Sequence, residues 1–159
     1  MSSQVLSDQV LAEGAVEAFV NLLRSHAGTS RELSADLTAE HGLTINDFEV
    51  LLHLSWAPEQ AMRRVDLASS VLLTPSGITR LLDGLERSGF VTREACATDR
   101  RVVYAKLTPA GDDKLGAARR THLAGVHRLF VERFSTDELA SLADLLERLP
   151  ATSGDSPDC

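Results

Sequence analysis

The chain has 159 residues, of which 43% are hydrophobic and 25% are charged, a composition typical of one globular domain or one compact two-lobed unit. No stretch approaches the ~20 uninterrupted apolar residues of a membrane-spanning helix, and the first twenty residues lack the Lys and Arg of a secretory signal. Because its two cysteines, Cys96 and Cys159, cannot form a disulfide framework, we expect a cytoplasmic protein.

The formal net charge of −7 hides a basic region in the middle third of the chain. Residues 60–106 contain eight basic and five acidic side chains, a net charge of +3, whereas the rest contains eight basic and eighteen acidic ones, a net charge of −10. This separation predicts a central part that faces a polyanion, on a scaffold whose acidic ends avoid unspecific binding.

Apolar periodicity predicts three helices in the first half of the chain, over residues 1–42, about 45–56 and about 63–71. Within the first of them, Gly28-Thr29 is expected to kink the helix or to split it in two. Thr44, followed by Asp47 three positions later, has the spacing of a cap for the second helix.

A fourth helix is predicted from Pro75 to Ser88. Thr74 precedes the proline as an N-cap, proline favours the first helical position, and Gly89 is a natural stop. Two short strand-like runs follow, over 90–95 and 102–107, with a polar loop over 96–101 between them, and this pattern predicts a β-hairpin.

Two more helices are predicted after the hairpin. Thr108-Pro109 repeats the cap-and-proline start and opens a long helix to about Phe134. A capping box at Ser135 and Glu138 begins a last helix, which ends near residue 149. The Ser/Asp/Pro-rich residues 151–159 are expected to be a disordered tail.

Together these elements predict a mainly α fold with a small β-hairpin wing. We expect residues 43–108 to form a winged helix-turn-helix lobe. Residues 1–42 and 109–150, from both ends of the chain, are expected to form a helical dimerisation lobe.

The helix over 75–88 has the properties of a DNA recognition helix. Such a helix needs an apolar inner face and small, polar or basic residues outward near its N-terminus, where they meet base edges. Four residues that lie off the apolar stripe fit this requirement: Ser76, Gly77, Thr79 and Arg80. The hairpin loop carries Asp99-Arg100-Arg101, and an arginine at a hairpin tip can enter the electronegative minor groove.

From about Leu43 to Leu115 the sequence resembles the MarR family of bacterial transcription regulators. The resemblance is carried by a set of short motifs in order: Leu43-Thr44 with Phe48, Val50 and Leu51; Asp66-Leu67-Ala68; Thr74-Pro75-Ser76 with Thr79-Arg80-Leu81; Leu85-Glu86-Arg87-Ser88-Gly89-Phe90-Val91; Asp99-Arg100-Arg101; and Leu107-Thr108-Pro109-Ala110-Gly111. The lengths and positions of the flanking helices also agree with the family.

The resemblance implies specific roles for these residues. Thr74, Ser76, Thr79 and Arg80 would contact the major groove. Asp99 would orient the wing arginine, Arg101 would enter the minor groove, and Arg100 would bind phosphate. The family is dimeric, and many members release DNA when a small phenolic or lipophilic acid binds between the two lobes, so a small-molecule inducer is expected. No cofactor is expected.

The sequence also supports a homodimer independently of the family. The last two predicted helices carry a long apolar face, which a lone chain of this size has little material to cover: Leu115, Leu123, Val126, Phe130, Phe134, Leu139, Leu142, Leu146 and Leu149. Two-fold symmetry would place two recognition helices ~34–36 Å apart, which predicts an inverted-repeat operator in double-stranded DNA.

Two features of the predicted DNA surface have a simpler interpretation. Arg80 is at helical spacing from Asp83 and Glu86 and could form surface ion pairs with them. The run from Asp99 to Arg101 could be a polar turn with local salt bridges.

A possible ligand pocket has its own alternative. Glu49, His53 and Trp56 share one face of the second helix, which fits a pocket wall for a small organic acid. The simpler interpretation, which we favour, is a half-buried rim with Trp56 in the core.

Other functions are less well supported by the sequence. Cys96, near Arg93, could make the regulator redox-tuned, although an incidental thiol is the simpler interpretation. His122 and His127 do not share a helical face, so no metal site is expected. The chain has neither a phosphate-binding Gly-rich loop nor an HExxH motif, so an enzyme is not expected. A winged helix that binds protein remains the main alternative, favoured by the acidic total charge.

Overall fold

The computed structural model describes residues 3–71, 73–96, 98–99 and 101–150, with side chains from Glu13 onward. In these residues the chain forms six α-helices and three strands: α1 (Ser3–His41), α2 (Ile45–Trp56), β1 (Ala61–Arg63), α3 (Arg64–Ser70), α4 (Pro75–Arg87), β2 (Val91–Ala95), β3 (Val103–Leu107), α5 (Pro109–Val126) and α6 (Thr136–Glu147). The fold is therefore mainly α with a small antiparallel sheet, as predicted. The predicted tail and Cys159 lie outside the described residues.

Helix α1 is continuous through Gly28-Thr29, so the predicted split of this helix is wrong. The Thr29 hydroxyl donates to the carbonyl oxygen of Ser25 at 2.8 Å, one helical turn back. A threonine bonded in this way is compatible with the helix, and one glycine costs only about 1 kcal/mol in a helix of this length.

The sheet contains one more strand than the predicted hairpin. β2 and β3 form that hairpin, and β1 pairs antiparallel with the other edge of β3, in the order β1-β3-β2. Between α2 and β1 the chain passes through a turn in which Glu59 and Gln60 have positive φ angles of 52° and 56°. A three-residue strand is too short to show an alternating pattern, which is why the sequence did not indicate β1.

A single apolar core holds the central elements together. Phe48 and Leu51 of α2, Leu67 of α3 and Ile78 and Leu82 of α4 are each at most 2% exposed. Burial of such side chains stabilises the fold by about 1.5–3 kcal/mol each. Because these residues come from three helices, their packing fixes the orientation of α4 relative to α2 and α3.

Helix α5 lies along the C-terminal half of α1 and ends in a π turn over His127–Val131. A Cβ on Gly125 would lie 2.6 Å from Leu33 Cδ2 of α1, so this glycine permits close contact of the two helices. α6 begins with the predicted capping box between Ser135 and Glu138. None of the described helices combines the length and the apolar character needed to cross a membrane.

Candidate nucleic-acid interface

The first turn of α4 is exposed and organised by its own cap. Thr74 Oγ1 accepts the N–H of Gly77 at 3.1 Å and lies 3.2 Å from Ser76 Oγ. A Cβ on Gly77 would lie 3.1 Å from the same Thr74 oxygen, so glycine keeps the cap uncrowded. Pro75 has no N–H, and the N–H groups of Gly77 and Ile78 are both bonded to Thr74, so the polar groups that this turn offers to an anionic or polar ligand are chiefly its two hydroxyls.

Thr79 and Arg80 have different surroundings although they are adjacent on α4. Arg80 is exposed, whereas Thr79 is half-buried and its hydroxyl donates to the carbonyl oxygen of Pro75 at 2.8 Å. Among the described residues, no ion pair involves Arg80. The simpler interpretation, in which Arg80 pairs with Asp83 or Glu86, is therefore wrong for this structure.

Asp83 and Glu86 pair instead with Arg93, which is not among the site residues predicted from the sequence. Arg93 Nη1 lies 2.8 Å from Asp83 Oδ1, and its Nη2 and Nε both contact Glu86 Oε2. The hydrogen bond to Glu86 is the main reason that the pKa of Arg93 is raised. Arg93 therefore joins the wing to α4 and partly neutralises two carboxylates on that helix.

Hydrogen bonds within the wing loop hold the backbone of Arg101. Asp99 Oδ1 accepts the N–H of Arg101 at 2.9 Å, and the carbonyl oxygen of Asp99 accepts the N–H of Val102 at 3.0 Å. Asp99 thus acts on the backbone of Arg101, whose side chain is exposed. Arg100 lies outside the described residues, and its predicted role is not tested.

The base of the wing is attached to the end of α4 through Thr108. The Thr108 hydroxyl donates to the carbonyl oxygen of Gly89 at 2.7 Å. The backbone N–H of Thr108 donates to the carbonyl oxygen of Phe90 at 3.1 Å. The same hydroxyl accepts the N–H of Gly111 at 3.0 Å and caps α5. One threonine therefore fixes α4, the wing and α5 relative to one another.

The predicted pocket residues lie on an open surface of the chain. Trp56 is 67% exposed, so the favoured interpretation of it as a core residue is wrong, and its ring is 6.0 Å from that of His53 in an edge-to-face arrangement. Burial raises the pKa of Glu49, against a smaller lowering effect of His26, and burial lowers the pKa of His53. Partly buried titratable groups beside an exposed indole are compatible with a ligand surface.

The other sequence candidates do not form a site in the described part of the chain. No group of three His, Cys, Asp or Glu side chains there could hold a metal ion. His122 stacks on Phe48 with ring centroids 4.5 Å apart, which is a packing role. The sulfur of Cys96 lies 3.2 Å from Thr98 Oγ1.

Comparisons with known proteins agree with this geometry. The model of the MarR family matches residues 43–103. The chain is 33% identical to the uncharacterized HTH-type transcriptional regulator YkoM of Bacillus subtilis over 139 residues, which cover 86% of this chain and 88% of that protein. It is also 33% identical to the HTH-type transcriptional repressor YetL of B. subtilis over 115 residues, 70% of this chain and 68% of YetL.

The crystal structure of AbsC, a MarR family transcriptional regulator from Streptomyces coelicolor, has the same fold. The two structures superpose with a TM-score of 0.73 at 31% sequence identity, and the match covers 82% of this chain and 87% of the AbsC chain. The family, the relatives and the helix-turn-helix with its wing all lead to one identification. The chain belongs to the MarR family of DNA-binding transcription regulators and is not an enzyme.

Proposed function

We propose that this regulator is a homodimeric repressor that reads an inverted-repeat operator and releases it when a small organic ligand binds. One observation carries the DNA part of the proposal: the exposed first turn of α4 and the exposed Arg101 belong to one hydrogen-bonded unit, joined through Thr108 and Arg93. The name of YetL, a transcriptional repressor, supports repression as the outcome of binding.

The proposed DNA surface follows the predicted contacts except at Thr79, whose hydroxyl donates to the carbonyl oxygen of Pro75. Thr74, Ser76, Gly77 and Arg80 would meet the major groove, where the small residues allow the backbone to approach and Arg80 has free donors for a guanine edge. Arg101 would enter the minor groove, and Arg100 would bind a phosphate. Asp99 would support the wing through the backbone of Arg101.

The proposed dimer is supported by apolar side chains that the single chain leaves uncovered. Phe19 of α1 is 60% exposed and Leu123 of α5 is 63% exposed. Among the residues of these end segments whose side chains are described, from Glu13 onward, the other exposed large apolar residues are Val16, Leu23, Val131, Phe134, Leu145, Leu146 and Leu149. We assign residues 1–42 and 109–150 to dimerisation and 43–108 to DNA binding, because a second copy is the simplest cover for these side chains.

The experiment that tests the function is selection of bound sequences from a random duplex pool at two salt concentrations, with the mass of the protein measured by sedimentation. We expect a dimer, an inverted repeat with half-sites about one turn apart, and a loss of affinity of orders of magnitude between ~50 and 200 mM salt. A folded dimer that enriches no sequence at low salt would contradict the proposal and favour a protein partner.

Arg80→Ala is expected to weaken operator binding by roughly 1–3 kcal/mol and to relax the preference at one base pair of each half-site, because a bidentate base contact is lost. The measurement is selection and titration with this variant beside Arg87→Ala, which removes an exposed arginine at the other end of α4. A uniform loss on all sequences, with unchanged preference, would show that Arg80 does not read a base.

Trp56→Ala is expected to abolish the response to the inducer while operator affinity stays within a few-fold of the original. The exposed indole and His53 offer an apolar platform with a polar edge, which is the kind of surface an aromatic ligand uses. The measurement is a screen of phenolic and lipophilic acids for release of operator, followed by titration of a hit against both proteins. An unchanged response in the variant would remove Trp56 and its neighbour from the ligand site.

A further inference from the structure

We propose that Arg64 is a further DNA-binding residue, which contacts a phosphate beside the recognition helix, and that Thr79 is the positioning residue that holds it there. Arg64 is not among the DNA contacts predicted from the sequence. It is the first residue of α3, and its Nη1 lies 3.5 Å from Thr79 Oγ1 on α4. This inference rests on the proposed DNA surface and assigns one more contact to it.

Arg64 and the preceding arginine differ in what they contact. Arg63 forms a bidentate ion pair with Asp66 of α3: its Nε and Nη2 donate to the two carboxylate oxygens at 2.7 and 3.2 Å. Arg64 contacts a neutral hydroxyl, and within the part of the chain that the structure describes it takes part in no ion pair. A guanidinium has five N–H donors, so Arg64 keeps its full charge and most of its donors for a further acceptor.

Carboxylates on α3 and α4 already have other partners, which leaves Arg64 available for an anionic acceptor. The carboxylates of Asp66 and of Asp83 are each paired with another arginine, Arg63 and Arg93 respectively. The first helix of a helix-turn-helix crosses the DNA backbone while the second enters the major groove. Arg64 is at the start of α3 and contacts Thr79 of α4. In a bound complex this cation would therefore lie close to a phosphate of the DNA backbone.

The hydroxyl of Thr79 has two partners within the chain, which favours a different role from the predicted base contact. It donates its proton to the carbonyl oxygen of Pro75 and accepts from Arg64. Because the one proton of this hydroxyl is bonded to the carbonyl oxygen of Pro75, Thr79 suits a support for Arg64 better than a donor to a base.

The test compares variants on two duplexes of about 30 base pairs, roughly three helical turns: the selected operator and a mixed-sequence duplex. Arg64→Ala is expected to weaken binding to both by roughly tenfold per half-site and to flatten the salt slope by about one per half-site. Arg64→Lys keeps the charge and should keep the slope. Arg31→Ala removes an exposed arginine of α1 that is not among the apolar side chains proposed to form the dimer. It is the control and should change neither affinity nor slope, nor the dimer measured by sedimentation.

A double-mutant cycle tests the role of Thr79. Thr79→Val should reduce affinity in the original protein and should add little in the Arg64→Ala background, because the two residues act through one contact. Equal losses in both backgrounds, or a changed base preference in Thr79→Val, would overturn the positioning role.

The outcomes separate this inference from the proposed function. Failure of the unmodified protein to bind either duplex would overturn the function as a whole. In a second outcome, Arg80→Ala weakens binding, but Arg64→Ala binds as tightly as the control Arg31→Ala. This result would overturn only the role of Arg64. A change of preference at one base pair in Arg64→Ala would overturn the phosphate contact. If Arg64→Ala lowers the melting temperature, Arg64→Gln, which keeps the packing of the stem, replaces it.

Discussion

Gly111→Ala is expected to lower the free energy of unfolding by roughly 3 kcal/mol, although the residue added is only a methyl group. Its Cβ would lie 2.1 Å from the carbonyl oxygen of Phe90 and 2.8 Å from Leu107 Cδ1. The carbonyl cannot turn away without losing the N–H of Thr108, which it accepts at 3.1 Å. The clash is therefore with backbone that the wing and α4 share, and urea denaturation measures its cost.

Gly116→Ala is the matched control on the same helix. A Cβ at Gly116 meets nothing within 4 Å, so the substitution should stabilise the protein by about 0.5–1 kcal/mol through helix propensity alone. Opposite signs for the two variants would confirm that close packing, rather than backbone entropy, requires glycine at position 111. A Gly111→Ala protein as stable as the original would contradict the contact between α5 and Phe90.

The sequence predicted the elements well where a local signal determines them. The caps at Thr44, Thr74, Thr108 and Ser135 are all present in the structure, because each needs only a side chain and a backbone N–H three positions later. The amphipathic pattern predicted one apolar face of α4 for the same reason: Ile78, Leu82 and Leu85 of that face are buried, and Leu81 is half-buried.

The sequence failed where a distant contact determines the role of a residue. Arg93 is seven positions from Glu86, and only the return of β2 along α4 brings them together. Arg64 and Thr79 are fifteen positions apart and meet because α3 packs on α4. Helical spacing placed Trp56 on one face of α2, but spacing does not tell what covers that face. The roles of these residues follow from contacts in the folded chain, and no sequence motif indicates them.

The paired carboxylates on α4 lead to the second large prediction. Arg93→Ala is expected to weaken operator binding by roughly tenfold per half-site at ~50 mM salt, with a smaller loss at 200 mM, because salt screens the repulsion. Without Arg93, the carboxylates of Asp83 and Glu86 would present a net charge of −2 to the proposed DNA surface, compared with −1 in the original cluster. Folding stability should change by no more than about 1 kcal/mol, since these ion pairs are partly exposed.

The double variant Arg93→Ala/Glu86→Gln decides between charge and geometry. It restores the net charge of the cluster to −1 but leaves the wing without its ion pairs to Asp83 and Glu86. We expect it to recover most of the lost affinity, because Thr108 still attaches the wing to Gly89 and Phe90 through hydrogen bonds of 2.7 and 3.1 Å. If the double variant bound as weakly as Arg93→Ala, Arg93 would act by orienting the wing. In that case the spacing between Arg101 and α4, and not the charge on α4, would control affinity.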